Sequence, residues 1–487
     1  MSNIKQKSIS GMFWSVSGNF SIQLALLITS IILGRLLDPE DYGIIGMVSI
    51  FTAVAQSILD SGFGTALIQK KDVDDVDSSS IFYFNLFMGI ILVILFHFAA
   101  PLISEFYNQP ILVPITRIIS YSFIINAFGL VQTSLLTKSL NFHQQFKAAI
   151  VSVIGSSIVG VFMATQNLGV WSLVGQLLSR YFINTLMLWG LSAWRPKLTF
   201  SIDSLKSMFP FGSRLLATGL LETIFNNIYQ TFIGKFYSIS QLGFYSKALT
   251  LETSISKATS TSLSKVTLAA MSPYQDDESM IKKYYKNSIK LTMFIHAPLM
   301  IGLLGIADPL IRFLLTNKWA PMIPFFQLFC VIGFFLPLNN LNINLLFVKG
   351  ETNKYLMLQI IQKIIIIFVI LITYKLGINA LILGQIFTAL FSLILLYLST
   401  RRILEYPLIE QIKDLSHIFI FSFIMVLFVL IINFFGIQNQ LLKLIIQIIT
   451  GITVYYILNV LNHSWELDEI KIIINNFIST LRNRINK

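Results

Sequence analysis

Apolar residues run in long stretches along almost the whole chain, and polar residues gather in the links between them. A helix crosses the hydrocarbon core with about 20 apolar residues at 1.5 Å each. On that measure the pattern predicts helices at roughly 11–34, 43–61, 80–104, 113–134, 148–167, 169–192, 209–234, 243–268, 288–307, 322–347, 354–374, 377–398, 415–434 and 441–462. In lipid every backbone polar group must be satisfied within its own segment, so such stretches are helices. The expected fold is all-α, a polytopic membrane protein of about 14 transmembrane helices.

Composition agrees. Of 487 residues 55% are hydrophobic and 12% charged, with a mean hydropathy of +0.74. A soluble domain carries about 25% charged residues, so the soluble class is excluded. Lys5 and Lys7 precede an apolar stretch too long for a signal peptide, and no small-residue cleavage site follows it, so the first helix is expected to stay in place. The single cysteine, Cys330, lies in an apolar stretch and reads as a small buried side chain, which leaves no intramolecular disulfide.

Charge orients the chain. Twenty-one lysines and arginines fall at the termini and in one alternate set of links; the other set holds five, Arg35, Lys235, Arg312, Lys318 and Lys375. The positive-inside rule then expects both termini in the cytoplasm and an even helix count. The net charge of +12 is explained by an inner face that meets anionic lipid, with no nucleic-acid partner. After the last helix, Ile470, Ile473, Ile474, Phe477, Ile478, Leu481 and Ile485 interleave with Lys471, Arg482, Arg484 and Lys487. The segment 463–487 is expected to lie on that leaflet as a basic amphipathic helix.

The chain repeats itself. Leu33-Gly34-Arg35 followed by Asp41-Tyr42-Gly43 returns two hundred residues later as Ile233-Gly234-Lys235 followed by Gln241-Leu242-Gly243. Leu168-Gly169-Val170 with Gly175-Gln176 returns as Leu376-Gly377-Ile378 with Gly384-Gln385. The expected organisation is an N-terminal lobe over 1–208, a C-terminal lobe over 209–400, two appended helices over 401–462, and the tail. Copies of six helices enter the membrane from the same side, as in transporters whose halves rock about a central site.

The chemistry sits in polar residues kept inside apolar helices. Arg117, Arg180, Arg214, Lys247, Lys257, Lys265 and Lys363 all fall in or at the shoulders of predicted helices. A cation at the bilayer centre costs about 2.5–3.5 kcal/mol, so four facing lipid would cost about 10–14 kcal/mol. They are expected to face a hydrated cavity or to pair with carboxylates. The eighth helix is the least apolar, with Glu252, Lys257 and runs of serine and threonine, and should line water. Glu222, Asn226 and Gln230 recur every four residues on one stripe of the seventh. Arg117, Arg180, Arg214, Lys247 and Lys257 are therefore candidate ligands for an anionic substrate. Glu222, Glu252, Asn226 and Gln230 are candidate polar or ion-coupling groups. His296, followed by Pro298, reads first as a satisfied polar group; Pro298 and Pro337 predict kinks. No HExxH, CxxC, P-loop or GxSxG motif occurs and no tight metal-ligand spacing, so no catalytic or metal site is expected.

These residues also carry a resemblance. Trp14, Gln23, the run Gly34–Gly43, Gly62-Phe63-Gly64 with Leu67–Lys70, and Gly169–Val174 are similar to the first half of Wzx-type oligosaccharide-lipid flippases. Phe211-Gly212-Ser213, Gly243–Ala248 and Asn342–Leu345 with Gly350 are similar to the second half. The resemblance implies the multidrug/oligosaccharidyl-lipid/polysaccharide exporter superfamily and a bacterial inner-membrane location. It implies two lobes about a cationic cavity that flips undecaprenyl-pyrophosphate-linked oligosaccharides for O-antigen, capsule or exopolysaccharide. It implies no cofactor. Its partners would be the lipid-linked oligosaccharide, membrane lipids and the polysaccharide polymerase machinery. Coupling to a proton or sodium gradient stays open; moving about two negative charges outward across 100 mV supplies roughly 4–5 kcal/mol.

Other readings remain. A peptidoglycan-precursor flippase would share each of these features. A multidrug exporter of the same superfamily would want an acidic cavity. A membrane glycosyltransferase or polymerase, suggested by Asp38, Glu40 and Asp41, would want a sizeable outer domain, and the outer links are short.

Overall fold

The computed structural model describes residues 2–60, 62–472 and 475. Among them every regular element is helical, as the apolar pattern requires. Contacts divide the chain into two compact units, Met1–Lys247 and Ala248–Lys487.

The first unit contains α1 (Ser2–Leu36), α2 (Pro39–Asp60), the short α3 (Phe63–Gln69), α4 (Asp75–Tyr107), α5 (Leu112–Lys138), α6 (Phe142–Thr165), α7 (Val170–Leu191) and α8 (Ile202–Phe236), with the first turns of α9 (Ile239–Met271). The second holds the rest of α9, then α10 (Glu278–Leu315), α11 (Ile323–Phe334), α12 (Leu336–Val348), α13 (Thr352–Thr373), α14 (Ile378–Leu404), α15 (Leu408–Ile431) and α16 (Gln440–Leu461).

Among the described residues ten spans are long and apolar enough to cross a membrane, with α2–α3 counted as one and the stretch through α11 and α12 as another. The remaining long helices, α1, α7, α8 and α9, have 22 to 35 residues and more polar faces. The protein is a multi-pass membrane protein. Its outward-facing side chains suit lipid: Phe98 is 74% exposed, Ile372 68% and Ile452 66%. One predicted helix is broken. The segment expected at 43–61 runs unbroken to Asp60, and the chain then turns through Gly62 (φ 72°) into the short α3. The one expected at 322–347 breaks at Phe335, because Pro337 is placed at the start of a new helix. Of the predicted amphipathic tail, Ile473, Ile474 and all residues from 476 on lie outside the described residues, as does the Lys265 side chain.

Local chemistry sets the helix ends. Asp74 and Asp77 form a capping box at α4, with Asp77 N–H donating to Asp74 Oδ1 at 2.6 Å. Ser201 caps α8 and Asp277 caps α10. At the other pole of α7, Arg195 donates to the carbonyls of Trp189 (2.7 Å) and Ser192 (2.6 Å).

The repeat read from the sequence has structural content. Asp38 N–H donates to Asp41 Oδ2 (3.0 Å) at the start of α2, and Ser238 N–H donates to Gln241 Oε1 (3.2 Å) at the start of α9. The two starts cross. A Cβ on Gly43 would strike the Ile239 carbonyl, and one on Gly243 the Pro39 carbonyl. Ser240 Oγ then donates to Glu40 Oε1 at 3.1 Å. Gly169 and Gly377, matched in the sequence, both hold positive φ at the N-caps of α7 and α14. The crossing ties the start of α9, and α8 with it, to α2 within the first unit.

The second unit is built on α10, which packs against α11, α12, α14, α15 and α16. Its core includes Tyr285, Met293, Ala297, Leu341, Leu345 and Ile418. At one end Lys286 bridges Glu410 (3.1 Å) and Asp414 (2.8 Å), and Lys290 joins Asp414 at 3.4 Å.

Candidate functional site

Within the first unit a cavity of about 710 Å³ opens between α2, α3, α5, α7 and α8. Its polar wall comes from helical spacing. On α2, Thr52, Gln56 and Asp60 recur every four residues and share one face. On α8, Gly219, Thr223 and Asn226–Asn227 do the same. Thr65, Ser122 and Tyr181 complete the wall, with Leu177, Leu215 and Leu216 as apolar floor. Two glycines make room for it. Gly62 takes a left-handed conformation and brings the α2–α3 joint onto α8, where a Cβ would meet the Gly212 carbonyl oxygen at 2.5 Å. Gly219 leaves the space in front of Ser57 open.

Hydrogen bonds tie the polar residues of these helices together. Ser49 Oγ donates to Gln230 Oε1 at 2.8 Å, and Asn126 Nδ2 donates to Gln56 Oε1 at 2.8 Å. The Asn227 amide donates to the Thr223 carbonyl at 2.8 Å. Among the described residues the Asp60 carboxylate has no hydrogen bond and no ion pair. The cavity thus offers hydroxyls, amides and one free carboxylate, a set suited to a ligand rich in hydroxyl groups.

The predicted site residues are dispersed. Asn226 lines the cavity, but Gln230 and Glu222, on the same predicted stripe, lie outside the lining, Gln230 bonded to Ser49 and Glu222 exposed on α8. None of the five candidate cations lines it. Arg117 is half-buried and donates from Nε to the His97 carbonyl at 3.3 Å. Pro101 lacks the N–H that would otherwise take that carbonyl. Arg180 and Arg214 are exposed on α7 and α8, the helices that supply Tyr181 and Asn226. Lys247 is 1% exposed: its Nζ donates to Ser30 O (2.6 Å), Ser30 Oγ (2.8 Å) and Tyr42 Oη (3.2 Å), and it lies 4.3 Å from the Tyr42 ring centroid. That geometry braces α1, α2 and α9. In the second unit Lys257 is exposed, while Glu252 is 4% exposed and accepts a hydrogen bond from Ser256 Oγ. Thr52, Gln56, Asp60, Tyr181 and Thr223 are not among the residues that the apolar pattern singles out. The signal for Thr52, Gln56 and Asp60 is the four-residue polar spacing on α2.

The second unit has a cavity of opposite chemistry. A groove of about 540 Å³ runs between α10, α15 and α16, walled by Phe294, Pro298, Leu303, Ile306, Met425 and Ile452. Gly302 and Gly451 give it depth, since neither fills the space in front of Met425. Two of its few polar side chains donate to backbone carbonyls: Gln447 Nε2 to Val429 O (3.2 Å) and Asn459 Nδ2 to Tyr455 O (2.8 Å).

Comparison with known proteins fits this architecture. The teichuronic acid biosynthesis protein TuaB of Bacillus subtilis (strain 168) is 25% identical over 361 residues, covering 72% of this chain and 74% of that protein. The lipopolysaccharide biosynthesis protein WzxC of Escherichia coli (strain K12) is 23% identical over 359 residues, 72% of each. The fold matches that of a lipid II flippase MurJ solved in an inward closed conformation, with a TM-score of 0.76 at 18% identity over 93% of this chain and 98% of that one. The family described as polysaccharide biosynthesis protein matches residues 32–324. With more than half its length matched, and with the motifs at Gly34–Gly43 and Gly169–Val174 inside the match, the chain belongs to the polysaccharide biosynthesis protein family.

Proposed function

We propose that the protein is a flippase that carries lipid-linked oligosaccharide units across the bacterial inner membrane by alternating access, for assembly of a surface polysaccharide such as O-antigen, capsule or exopolysaccharide. One observation carries the reading: a membrane-spanning member of this family keeps a polar cavity of about 710 Å³, lined by hydroxyls, amides and one carboxylate, inside its helices. Such groups have no use toward lipid. They match the hydroxyls of a glycan, which Asn, Gln and Asp side chains can bridge in pairs.

The substrate has three chemical parts, and each finds its match. The glycan takes the polar cavity. The diphosphate takes the guanidinium of Arg180 or Arg214 through charge-assisted bonds. The polyprenyl chain takes apolar surface of the kind that lines the groove of the second unit. The excess of basic residues in one set of links supports cytoplasmic termini. A cation gradient, of protons or of sodium, supplies coupling.

Deleting the gene in its host tests the reading. The expected result is a lipid-linked oligosaccharide trapped on the inner leaflet and loss of one surface polysaccharide, both reversed by re-expression. Intact surface polysaccharide, with lipid-linked peptidoglycan precursor accumulating instead, would make the protein a flippase for that precursor.

A further inference from the structure

A buried polar cluster in the second unit has no part in either cavity. It joins α9, α10 and α11. His296, on α10, is fully buried, and its Nε2 lies 2.9 Å from the carbonyl oxygen of Gly333. That carbonyl lies in the last turn of α11, where a helix leaves its C=O groups without an i+4 donor. A carbonyl only accepts, so Nε2 carries a proton. The other ring nitrogen, Nδ1, is 2.8 Å from Thr259 Oγ1. Thr259 Oγ1 is in turn 3.0 Å from the Ser256 carbonyl. Ser256 Oγ donates to Glu252, whose carboxylate lies against Gly333: a Cβ there would collide with Glu252 Oε1 and would stand 2.7 Å from Ser256 Oγ.

We propose that His296 and Glu252, gathered around the backbone of Gly333, are the site that takes up and releases a proton during transport. The proposal rests on the transport reading above and names its coupling ion. The geometry serves both protonation states of the imidazole. In the neutral ring Nε2–H donates to Gly333 and the Thr259 hydroxyl donates to Nδ1. When a proton arrives, the Nδ1 lone pair forms the new N–H bond, which donates to Thr259 Oγ1, and the threonine O–H turns to the Ser256 carbonyl. Release reverses these steps, and no heavy atom moves. A brace needs one protonation state; this site has partners for two. Glu252 supplies the opposite charge that an imidazolium in a membrane interior requires.

The groups around the site are few. From α9 come Glu252 and, one turn on, Lys257; from α11 comes Cys330, 1% exposed. α16 presents the Tyr455 hydroxyl, which donates to the Phe294 carbonyl at 2.9 Å. α12 and α14 present neutral Asn342 and Thr400, bonded to each other at 2.6 Å, near Tyr285. α15 presents Glu410 and Asp414, which are held by Lys286 and Lys290.

The test uses the full-length chain in phospholipid vesicles with the proton alone as probe, read by infrared difference spectroscopy between acid and alkaline buffer. Wild type is expected to show titrating carboxyl and imidazole bands. Glu252→Gln should remove one carboxyl band. His296→Gln should remove the imidazole band and move the midpoint of the Glu252 band by about half a pH unit or more, as coupled sites do. A Glu252 band indifferent to His296→Gln, or no band lost in Glu252→Gln, overturns the site. In the deletion host, collapse of the pH gradient should cut wild-type export. Both variants, at wild-type protein levels, should export about tenfold less or worse, the size of an ordinary coupling. Full export by both variants, or wild-type export indifferent to the gradient, overturns proton coupling here. Failure of wild type to restore the polysaccharide strikes the transport reading instead, while the infrared result still judges the site.

Discussion

A proline inside a membrane helix strips the carbonyl four residues back of its donor, and two such carbonyls here find two different side chains. Pro101 frees His97 O for Arg117 and Pro298 frees Phe294 O for Tyr455. The prolines and their side-chain partners thus act in pairs. Tyr455→Phe alone should destabilise the protein by about 1–2 kcal/mol, the cost of an unpaired buried carbonyl. Adding Pro298→Ala should recover most of that loss, which thermal unfolding in detergent will show as a non-additive cycle. Equal losses in the single and double variants would break the pairing. Arg117 shows why such roles are hard to read in a sequence. An arginine inside an apolar stretch announces its cost but not whether it faces a ligand or a bare carbonyl.

Glu466, after α16, makes a second residue-scale prediction. It is 2% exposed and lies 3.2 Å from His417 Nε2. Burial works against its charged form, but the His417 side chain and a backbone N–H outweigh it and hold the carboxyl below its ordinary value of 4.5. A depressed carboxyl contributes stability above its unfolded pKa and loses it as pH falls through the folded one. Hydrogen exchange over 464–472 should therefore stay slow above about pH 4.5 and rise below it. In Glu466→Gln the exchange should be fast throughout.

At the scale of elements, the starts of α2 and α9 are the tightest junction in the first unit. Neither Gly43 nor Gly243 has room for a methyl group, because each faces the other helix's backbone rather than a side chain that can turn aside. Gly43→Ala or Gly243→Ala should cost about 1–3 kcal/mol, as overpacking does. Gly190→Ala, in α7 with open space around it, should be neutral or stabilise by up to about 1 kcal/mol. Thermal unfolding of the three variants side by side decides the matter; equal effects would contradict the crossing. The repeat itself was legible, since matching glycines and caps leave matching spacings. That the two copies of this motif pack on each other was not, because Gly43 and Gly243 are two hundred residues apart and spacing along a chain says nothing of contact across it.

For the whole molecule the charge of the polar cavity matters most. The buried cations led the sequence reading toward an anion-binding chamber, yet the cavity of the first unit carries Asp60 and none of them. Asp60→Asn keeps the shape and removes the charge. A carboxylate–hydroxyl bond is worth about 1.5 kcal/mol more than a lost one, so export of the native glycan should fall about tenfold. Surface polysaccharide in the complemented deletion strain measures it, and wild-type levels would remove Asp60 from the site.

The sequence by itself determined the membrane, the all-helical class, the repeated motif and the family. Each follows from local quantities: the length of an apolar run, the cost of an unpaired backbone in lipid, the spacing of glycines and caps. Tertiary structure alone decided which polar groups meet. Thr52 and Thr223 share a cavity, and Glu252 and His296 share Gly333, only because helices far apart in the chain turn those faces toward each other. Helical periodicity fixes a face; packing chooses its partner.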